Sequence, residues 1–295
     1  MSLMRNLNRA LTATTGLQVR KAPAPAPERP AAAAPAKAPE PTYRRPVADD
    51  LPVERLLRQP VFIISSVRSG STLLRMMMGS HSRLHAPHEL HLRHLQVGVA
   101  GGVPERAMDA LGLARGDLEH LLWDRVLHRE LVRSGKDFIV EKTPGNAFVH
   151  QRIRDCWPDA RLVFLLRHPE SVARSWHESD PDKRPYDKAA AEALHYLEAV
   201  EDARTHHPDG YTVRYEDITE SPEKTMRGLC AHLGLEYEPG MTAYGEKGDA
   251  ELIRGLGDWR ANIRTGSVQP GRTLPRAEEV PAVLRPMCEA WGYLP

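Results

Sequence analysis

The sequence has few cysteines and no long apolar run. Its three cysteines, Cys156, Cys230 and Cys288, lie far apart and form no CxxC pair, which argues against a disulfide framework and against a cysteine-type zinc module. No stretch approaches the roughly 18 consecutive apolar residues of a membrane span, and the start of the chain lacks the continuous apolar segment of a secretory signal. These absences predict a cytoplasmic protein without a membrane span.

Net charge is also nearly absent. The chain carries 40 Lys and Arg against 39 Asp and Glu, a formal net charge of +1, so its overall charge does not indicate nucleic acid or an anionic membrane as a partner. Eight of the basic residues and two of the acidic ones lie within residues 1–45. The positive excess therefore belongs to the start of the chain, and a cationic site elsewhere must be argued from individual residues.

The first part of the chain is of low complexity. The stretch KAPAPAPERPAAAAPAKAPEPTYRRP is rich in Pro and Ala, a composition that builds no core and favours extended, semi-rigid chains. We expect a linker over residues 21–54 and a folded domain over residues 55–295. In the tail over residues 1–20, leucines with basic neighbours permit a short amphipathic helix, so both a frayed terminus and a docking element for a partner protein remain open.

From about residue 55, short apolar runs alternate with helical patterns. The apolar runs predict strands over residues 60–66, 137–142, 160–166 and 210–217. Helices are predicted over residues 71–80, 118–135, 143–157, 168–176, 188–207 and 221–235, the third with Thr143 as its cap and Pro144 in its first turn. This alternation is typical of an α/β fold with a central parallel sheet flanked by helices, in which ligands bind beyond the carboxyl ends of the strands.

A turn of small, hydroxyl-bearing residues follows the first predicted strand. Ser69, Gly70, Ser71 and Thr72 stand at the start of the next helix, where converging backbone N–H groups and the helix dipole favour an anion. The GxxxxGK[ST] pattern of nucleotide-triphosphate loops is not met, because no lysine precedes Ser71. Arg68 supplies a cation instead. By itself, the turn is compatible with an anion site and with a purely structural role.

A second stretch of interest is RLVFLLRHPESVARSW. Its strand delivers Arg167 to the carboxyl end, and Ser175 follows eight residues later on the next helix. Arginine suits phosphate because its planar fork donates two parallel, charge-assisted hydrogen bonds. Taken alone, the stretch is equally compatible with a solvated arginine at the start of a helix.

Together the two stretches resemble a known family. PVFIISSVRSGSTLL and LVFLLRHPESVARSW, in this order and about 100 residues apart, are similar to the nucleotide-binding signatures of sulfotransferases that use 3′-phosphoadenosine-5′-phosphosulfate (PAPS). In that family the first loop holds the 5′-phosphosulfate end, and the arginine and serine hold the 3′-phosphate. The resemblance covers residues 58–294. It implies a P-loop-like, three-layer α/β fold and sulfuryl transfer from PAPS to a hydroxyl acceptor, with no metal required.

The resemblance also implies roles for residues later in the chain. Lys142, in VEKTPGN, matches a lysine that steadies the sulfuryl group or the bridging oxygen in tyrosylprotein sulfotransferases; a surface lysine is the alternative. Tyr215, in VRYEDI, matches an aromatic residue near the adenine, with a core tyrosine as the alternative. GLGDWRANIRTGSVQPGR resembles the late basic loop that closes over the nucleotide. Arg264 is its nucleotide-binding candidate, with Arg260 and Arg272 as alternatives.

The candidate base lies in HSRLHAPHELHLRHL, which holds five histidines. A metal site is disfavoured, because HELH places its histidines three apart rather than the four of HExxH and Pro87 interrupts a single helix. The resemblance offers two bases. Glu89 matches the glutamate of the tyrosylprotein branch, and His91 matches the histidine of the sulfotransferase domains in olefin-forming polyketide synthases. Both residues are present, so both are candidates.

The sequence departs from the family pattern at two positions and leaves the acceptor open. Val67 and His88 stand where prolines are common, and because neither change removes a charge we expect nucleotide binding to persist. The acceptor candidates are a small-molecule hydroxyl and a carrier-bound acyl chain, and the expected setting is natural-product biosynthesis. The rival enzyme class is a P-loop kinase or NTPase that uses ATP and Mg²⁺, and a binding module without catalysis is the third class.

Overall fold

The structure is a computed structural model that describes residues 41–245 and 261–295. The predicted tail, most of the predicted linker and Arg260 lie outside the described residues. Five strands form the sheet: β1 (Val61–Ser65), β2 (Leu84–His85), β3 (Phe138–Glu141), β4 (Arg161–Leu166) and β5 (Tyr211–Arg214). Their order is β2-β3-β1-β4-β5, and all neighbouring pairs are parallel. The four predicted strands are confirmed, while β2 has too few residues to give a sequence pattern.

Helices surround this sheet. In the described part of the chain they are α1 (Leu51–Glu54), α2 (Ser71–Gly79), α3 (Gly102–Ala110), α4 (Arg115–Ser134), α5 (His150–Cys156), α6 (Pro169–His177), α7 (Tyr186–His206), α8 (Tyr215–Glu220), α9 (Pro222–His232), α10 (Ala261–Arg264) and α11 (Arg285–Ala290). Short 3-10 segments cover Leu92–His94, Pro144–Val149, Pro239–Met241, Ala277–Glu279 and Ala282–Leu284. Among the described helices, none combines the length and the apolar character needed to cross a membrane.

Alternate residues of the central strands face opposite sides of the sheet. Phe62 and Ile64 belong to a buried cluster that includes residues of α4, α6 and α7, whereas Val61 and Ile63 belong to a second cluster with residues of α2 and α9. Successive strand residues point to opposite faces, and a strand covered on both faces needs apolar residues at every position. The continuous apolar runs in the sequence therefore reflect a three-layer arrangement, and the predicted P-loop-like α/β fold is confirmed.

The predicted strand over residues 210–217 is too long. β5 ends at Arg214, which pairs with Leu166, the last residue of β4. Beyond that point β4 offers no further backbone partner, and Tyr215 begins α8 instead. The strand therefore ends where its neighbour ends, a limit that its own residues do not reveal.

The predicted single helix over residues 143–157 is divided. It consists of the 3-10 segment Pro144–Val149 followed by α5. Thr143 does not cap it; its hydroxyl donates instead to Oε1 of Glu141 at 2.7 Å. The expected cap is lost because that hydroxyl is bound by a buried carboxylate.

The segment before α1 packs against the start of α4. The N–H of Gly116 donates to the carbonyl of Thr42 at 2.9 Å, and the N–H of Arg44 donates to Oδ1 of Asp117 at 2.6 Å. Asp117 also accepts the N–H of Ala114 at 2.8 Å, so α4 begins three residues before its predicted start. The last part of the predicted linker thus contacts the domain, while the extent of the tail and linker remains a prediction.

Candidate active site

The turn between β1 and α2 has an unusual backbone. Arg68 has a φ of +59° and Gly70 a φ of +88°, both in the left-handed region that glycine adopts most readily. Ser71 then begins α2, whose first N–H groups have no acceptor within the helix. Ser69 is buried, and its hydroxyl has no hydrogen-bond partner among the described residues. Polar groups arranged in this way at a helix start suit an anion, in agreement with the sequence-based interpretation.

Arg167 lies just beyond β4 and contacts this turn. Its Nη1 donates to the backbone carbonyl of Arg68 at 2.8 Å, and its Cζ lies 4.3 Å from the centre of the Tyr215 ring. That ring packs on Gly70, where an added Cβ would stand 2.3 Å from Cδ2 of Tyr215. Burial lowers the pKa of Arg167, and its Nε has no partner among the described residues. A buried cation with an unused hydrogen-bond donor is costly unless it is paired, so an anionic ligand would stabilise it.

Ser175 completes the connection between the two sequence signatures. It is buried on α6, and its hydroxyl oxygen accepts a hydrogen bond from Nε of Arg68 at 3.3 Å. β1 and β4 are parallel neighbours with five residue pairs in register. The turns that follow them therefore lie side by side, which brings Arg68, Arg167 and Ser175 together at the carboxyl edge of the sheet.

Lys142 follows β3, on the other side of β1. Its side chain is 0% exposed, and its Nζ forms an ion pair with Oε1 of Glu89 and donates to Oγ1 of Thr72 at 3.4 Å. Burial lowers the pKa of Lys142, and the carboxylate of Glu89 acts in the opposite direction. Lys142 is therefore not a surface lysine but a buried cation connected to the turn through Thr72.

His91 stands at the exposed end of this group. Its Nε2 lies 3.4 Å from Oε2 of Glu89, and the His91 side chain is 42% exposed against 12% for Glu89. His91 has a φ of +50°, which is uncommon outside glycine, and its N–H donates to Oγ1 of Thr143 at 3.2 Å. A continuous series of polar side chains thus runs from His91 through Glu89 and Lys142 to Thr72.

A buried carboxylate that sequence analysis did not identify supports this loop. Glu141, at the end of β3, is 1% exposed; it accepts hydrogen bonds from the hydroxyl of Thr143 at 2.7 Å, from the N–H of Leu90 at 3.3 Å and from the amide of Asn146. Burial raises the pKa of Glu141, and the bonds from Thr143 and Asn146 oppose this shift. Its signal in the sequence is a single acidic residue at the end of an otherwise apolar strand, Phe138–Glu141.

Arg75 is a second supporting residue that was not predicted. It lies on α2, is 1% exposed, and its Nη1 donates to the carbonyls of Ala86 at 3.0 Å and Pro87 at 3.2 Å. Burial lowers the pKa of Arg75 to about 10, and the charge of Glu89 opposes this shift. Arg75 thus attaches the start of the candidate-base loop to the helix that follows the anion turn. Its signal is an arginine within the apolar run LLRMMM.

The arginines of the late basic loop differ in their contacts with the candidate site. Arg264 ends α10 and is exposed. Arg272 pairs with Glu178, with Nη1 2.7 Å from Oε2, and after burial it is the charge of Arg272 that lowers the pKa of Arg167. Of the two late-loop candidates within the described residues, Arg264 and Arg272, it is Arg272 whose charge lowers the pKa of Arg167.

The contacting polar turns after β1 and β4 lie at the carboxyl edge of the parallel sheet, where ligands of this fold class bind. Residues 60–239 match a family model described as "Sulfotransferase family". Since the match covers more than half of the chain, the protein belongs to the sulfotransferase family, and this membership supports sulfotransferase activity. The matched range includes both sequence signatures and Lys142, Glu89 and His91.

Two curated proteins show similarity in sequence. Nodulation protein NoeE of Sinorhizobium fredii (strain NBRC 101917 / NGR234) is 25% identical over 264 residues, which cover 75% of this chain and 62% of NoeE. An uncharacterized protein of Aquifex aeolicus (strain VF5) is 24% identical over 208 residues, which cover 63% of this chain and 27% of that protein. The chain thus spans less than two thirds of the length of each of these relatives.

Solved structures support the fold. The sulfotransferase domain from the Synechococcus PCC 7002 olefin synthase is 26% identical, with a TM-score of 0.57, over 82% of this chain and 98% of that domain. The sulfotransferase domain from the curacin biosynthetic pathway is 20% identical, with a TM-score of 0.54, over 81% of this chain and 99% of that domain. The second similarity concerns the fold alone.

Proposed function

We propose that this protein transfers a sulfuryl group from PAPS to the hydroxyl group of an acceptor. The observation that carries the proposal is the contact between the two signature turns, in which Arg167 donates to the carbonyl of Arg68 and Arg68 donates to Ser175. A donor with phosphate at both its 3′ and 5′ positions requires two anion sites close together. The contact supplies that juxtaposition at the edge of the sheet where ligands of this fold class bind.

The polar atoms of this edge fit such a donor. Among the described residues, Oγ of Ser69 and Nε of Arg167 are buried without hydrogen-bond partners, and buried donors of this kind are costly unless a ligand satisfies them. Arg167 and Ser175 would hold the 3′-phosphate, and residues 68–72 would hold the phosphosulfate end. Tyr215, stacked on Arg167, would lie beside the adenine. When bound, PAPS supplies the activated sulfuryl group.

Two cations would stabilise the charge that develops during transfer. Arg68 lies in the turn itself, and Lys142 reaches the turn through Thr72. In the displacement, the acceptor oxygen bonds to sulfur while the bond from sulfur to the 5′-phosphate oxygen breaks, so negative charge grows on that phosphate. Fixed cations and backbone N–H groups in a largely buried site stabilise this charge without reorganisation. Lys142, held by burial and by Glu89, meets that requirement.

We assign the base role to His91 and a positioning role to Glu89. Oε1 of Glu89 is bound by the buried ammonium of Lys142, whereas the ring of His91 is accessible to an acceptor. With Nε2 facing Glu89, Nδ1 of His91 is available for the hydroxyl proton. The carboxylate then orients the ring and stabilises the imidazolium that forms, a division of labour used by other base and carboxylate pairs.

The acceptor class is proposed from similarity as well as from the site. The identity of 26% with the sulfotransferase domain of an olefin synthase supports a biosynthetic role, with a carrier-bound β-hydroxyacyl chain as one acceptor. The half-exposed ring of His91 is equally accessible to the hydroxyl of a small molecule. A role in natural-product biosynthesis accommodates both acceptors.

Ligand-dependent thermal shifts test the donor. The full chain is heated with 3′,5′-ADP, the product of PAPS, and in parallel with ATP and Mg²⁺. We expect 3′,5′-ADP to raise Tm more than ATP and Mg²⁺ do. Stabilisation by ATP and Mg²⁺ alone would reject PAPS and favour the kinase alternative.

A transfer assay then tests the acceptor. PAPS with labelled sulfate is supplied together with phenols, sugars and a β-hydroxyacyl chain on a carrier protein. Labelled product with any hydroxyl acceptor supports the function, and the preferred acceptor assigns the class. Binding of 3′,5′-ADP without transfer to any of them would favour the binding-module alternative.

A further inference from the structure

Three histidines and an aspartate meet where α5 packs near the end of α7. Nε2 of His150 lies 2.8 Å from Oδ2 of Asp202. Nδ1 of His206 donates to the backbone carbonyl of Asp202 at 2.8 Å and lies 3.2 Å from Oδ1 of the same residue. On the far side of the His150 ring, Nδ1 lies 3.0 Å from Nε2 of His207. None of these residues belongs to the stretches that match the nucleotide-binding signatures.

The spacing of these atoms is close to that of a metal coordination sphere. One ligand atom from each of His150, Asp202 and His206 lies within 4.8 Å of the others. Around a tetrahedral zinc ion, with ligands about 2.0–2.2 Å from the metal, neighbouring ligand atoms lie about 3.3–3.6 Å apart. Asp202 and His206 are one helical turn apart on α7, and their side chains are 54% and 50% exposed. Small side-chain rotations therefore bring the three groups to coordination distance.

The surroundings of His150 resemble a support for a metal-binding imidazole. The His150 side chain is only 6% exposed, so its ring is held in place. Metal-binding histidines commonly donate their other ring N–H to a neighbouring acceptor, which fixes the tautomer. His207 is in position to accept that proton from Nδ1 of His150, which leaves the lone pair of Nε2 directed toward Asp202.

The local charge also permits a cation. Arg154 is a basic residue close to His207. Asp209 forms an ion pair with Arg154, which offsets its positive charge. Asp202 is the carboxylate that faces His150 and His206, and within the described residues its recorded polar partners are these two histidines. A carboxylate with two imidazoles is a donor set that suits zinc and its neighbours rather than Mg²⁺, which prefers oxygen ligands.

We propose that His150, Asp202 and His206 bind one divalent transition-metal ion of the zinc type, with His207 supporting His150 and a water molecule as the fourth ligand. The ion would join the start of α5 to the end of α7. Its role would be structural, since the three ligands lie on α5 and α7 and hold these two helices together.

Zinc titration of the full chain tests this site. After dialysis against a chelator, the protein is titrated with ZnCl2 in a calorimeter, and bound zinc is measured by elemental analysis. We expect one zinc per chain, a rise in Tm with ZnCl2, and no comparable effect of MgCl2. His206→Ala and Asp202→Asn alter half-exposed side chains and should weaken zinc binding about tenfold or more, with Tm in the absence of metal close to that of the parent.

A matched control separates this site from other histidines. His128→Ala removes a histidine of α4 whose Nδ1 lies 3.3 Å from Nη1 of Arg125, and it should leave zinc binding unchanged. Loss of affinity in the two site variants but not in His128→Ala supports the proposal. Absence of zinc binding to the parent chain, or unchanged affinity in His206→Ala and Asp202→Asn, would overturn it, the latter by placing the metal on other histidines.

Discussion

Arg167 donates a hydrogen bond from Nη1 to the backbone carbonyl of Arg68, at 2.8 Å and across 99 positions of sequence. This hydrogen bond attaches the turn that the anion would occupy at Arg68, the residue whose backbone is left-handed. The same guanidinium packs over Tyr215, which covers Gly70. The two halves of the proposed nucleotide site are therefore in direct contact, and a change in either should affect both.

Arg167→Ala should weaken binding of 3′,5′-ADP. It removes at least one charge-assisted hydrogen bond, which contributes roughly 1.5–3 kcal/mol, so Kd should rise by at least about 10- to 100-fold. Arg174→Ala is the matched control, on α6, which follows Arg167; Arg174 is 45% exposed in its side chain and pairs with Glu170. Calorimetric titration measures both variants, and an equal rise in Kd would contradict the role given to Arg167.

Gly70→Ala should destabilise the fold more than Gly234→Ala does. Both glycines have positive φ, +88° and +65°, but an added Cβ meets Tyr215 at Gly70 and nothing within 4 Å at Gly234. The backbone cost of about 1–2 kcal/mol is common to both, so the difference in urea unfolding reports the displaced ring. Adding Tyr215→Ala to Gly70→Ala should reduce that difference. Equal losses in the two single variants would show that the ring is not in contact with the turn.

His91→Ala should lower kcat about 10²- to 10⁴-fold, the usual contribution of a general base. Its effect on the Kd of 3′,5′-ADP should be small, because the His91 ring lies beside Glu89, and Glu89 and Lys142 stand between it and Thr72 of the turn. His88→Ala serves as the control: His88 precedes Glu89 in the chain, and its Nδ1 lies 2.9 Å from the carbonyl of Glu89. If the two variants lose kcat to the same extent, the loop's conformation rather than the His91 base is responsible.

Lys142→Met should destabilise the protein as well as lower kcat. Breaking a buried ion pair from one side leaves Glu89, only 12% exposed, without its partner, at a cost of about 3–5 kcal/mol. Lys142→Met combined with Glu89→Gln removes both charges and should recover much of the unfolding free energy but none of the activity. Urea unfolding and the transfer assay measure the two effects separately. A double variant as unstable as the single one would show that the pair is not coupled.

Glu141→Gln should change how stability depends on pH. Burial raises the pKa of Glu141 above its usual value of about 4.3, so between that value and the folded-state pKa the native chain holds a proton that the unfolded chain has lost. The stability contributed by Glu141 is therefore present below about pH 4.3 and decreases as pH rises through the folded-state pKa. The variant lacks this decrease, so its free energy of unfolding relative to the parent should improve from acid to neutral pH.

Urea unfolding at several pH values measures this effect. Glu198→Gln, a change of an exposed residue on α7, is the control and should follow the parent at each pH. Parallel curves for the parent and Glu141→Gln would contradict the effect of burial on Glu141.

The sequence alone was sufficient to predict the strands, and it indicated the two turns that we propose bind the nucleotide. Their signals are local: apolar runs of strand length, a Ser- and Gly-containing turn before a helix, and an arginine followed eight residues later by a serine. Each depends on residues that are neighbours in the chain. Periodicity and turn chemistry are therefore able to find them.

Glu141 and Arg75 were missed because their importance depends on partners from elsewhere. A charged residue in an apolar run is tolerated only if buried donors or acceptors satisfy it. For Glu141 these are Thr143, Asn146 and Leu90, and for Arg75 they are the carbonyls of Ala86 and Pro87. The sequence shows a charged residue within each apolar run, but it does not show which partners satisfy that charge.

The sequence by itself determined the class of fold and indicated the residues of the proposed nucleotide site, because both depend on short-range patterns. Only the tertiary structure placed Glu89 between Lys142 and His91, the contact on which the proposed roles of His91 as base and Glu89 as positioning residue rest. It also brought His150 to Asp202 and His206, 52 and 56 positions later in the chain. Pairing of charges across parallel strands and helices depends on sheet order and register, which no local pattern specifies.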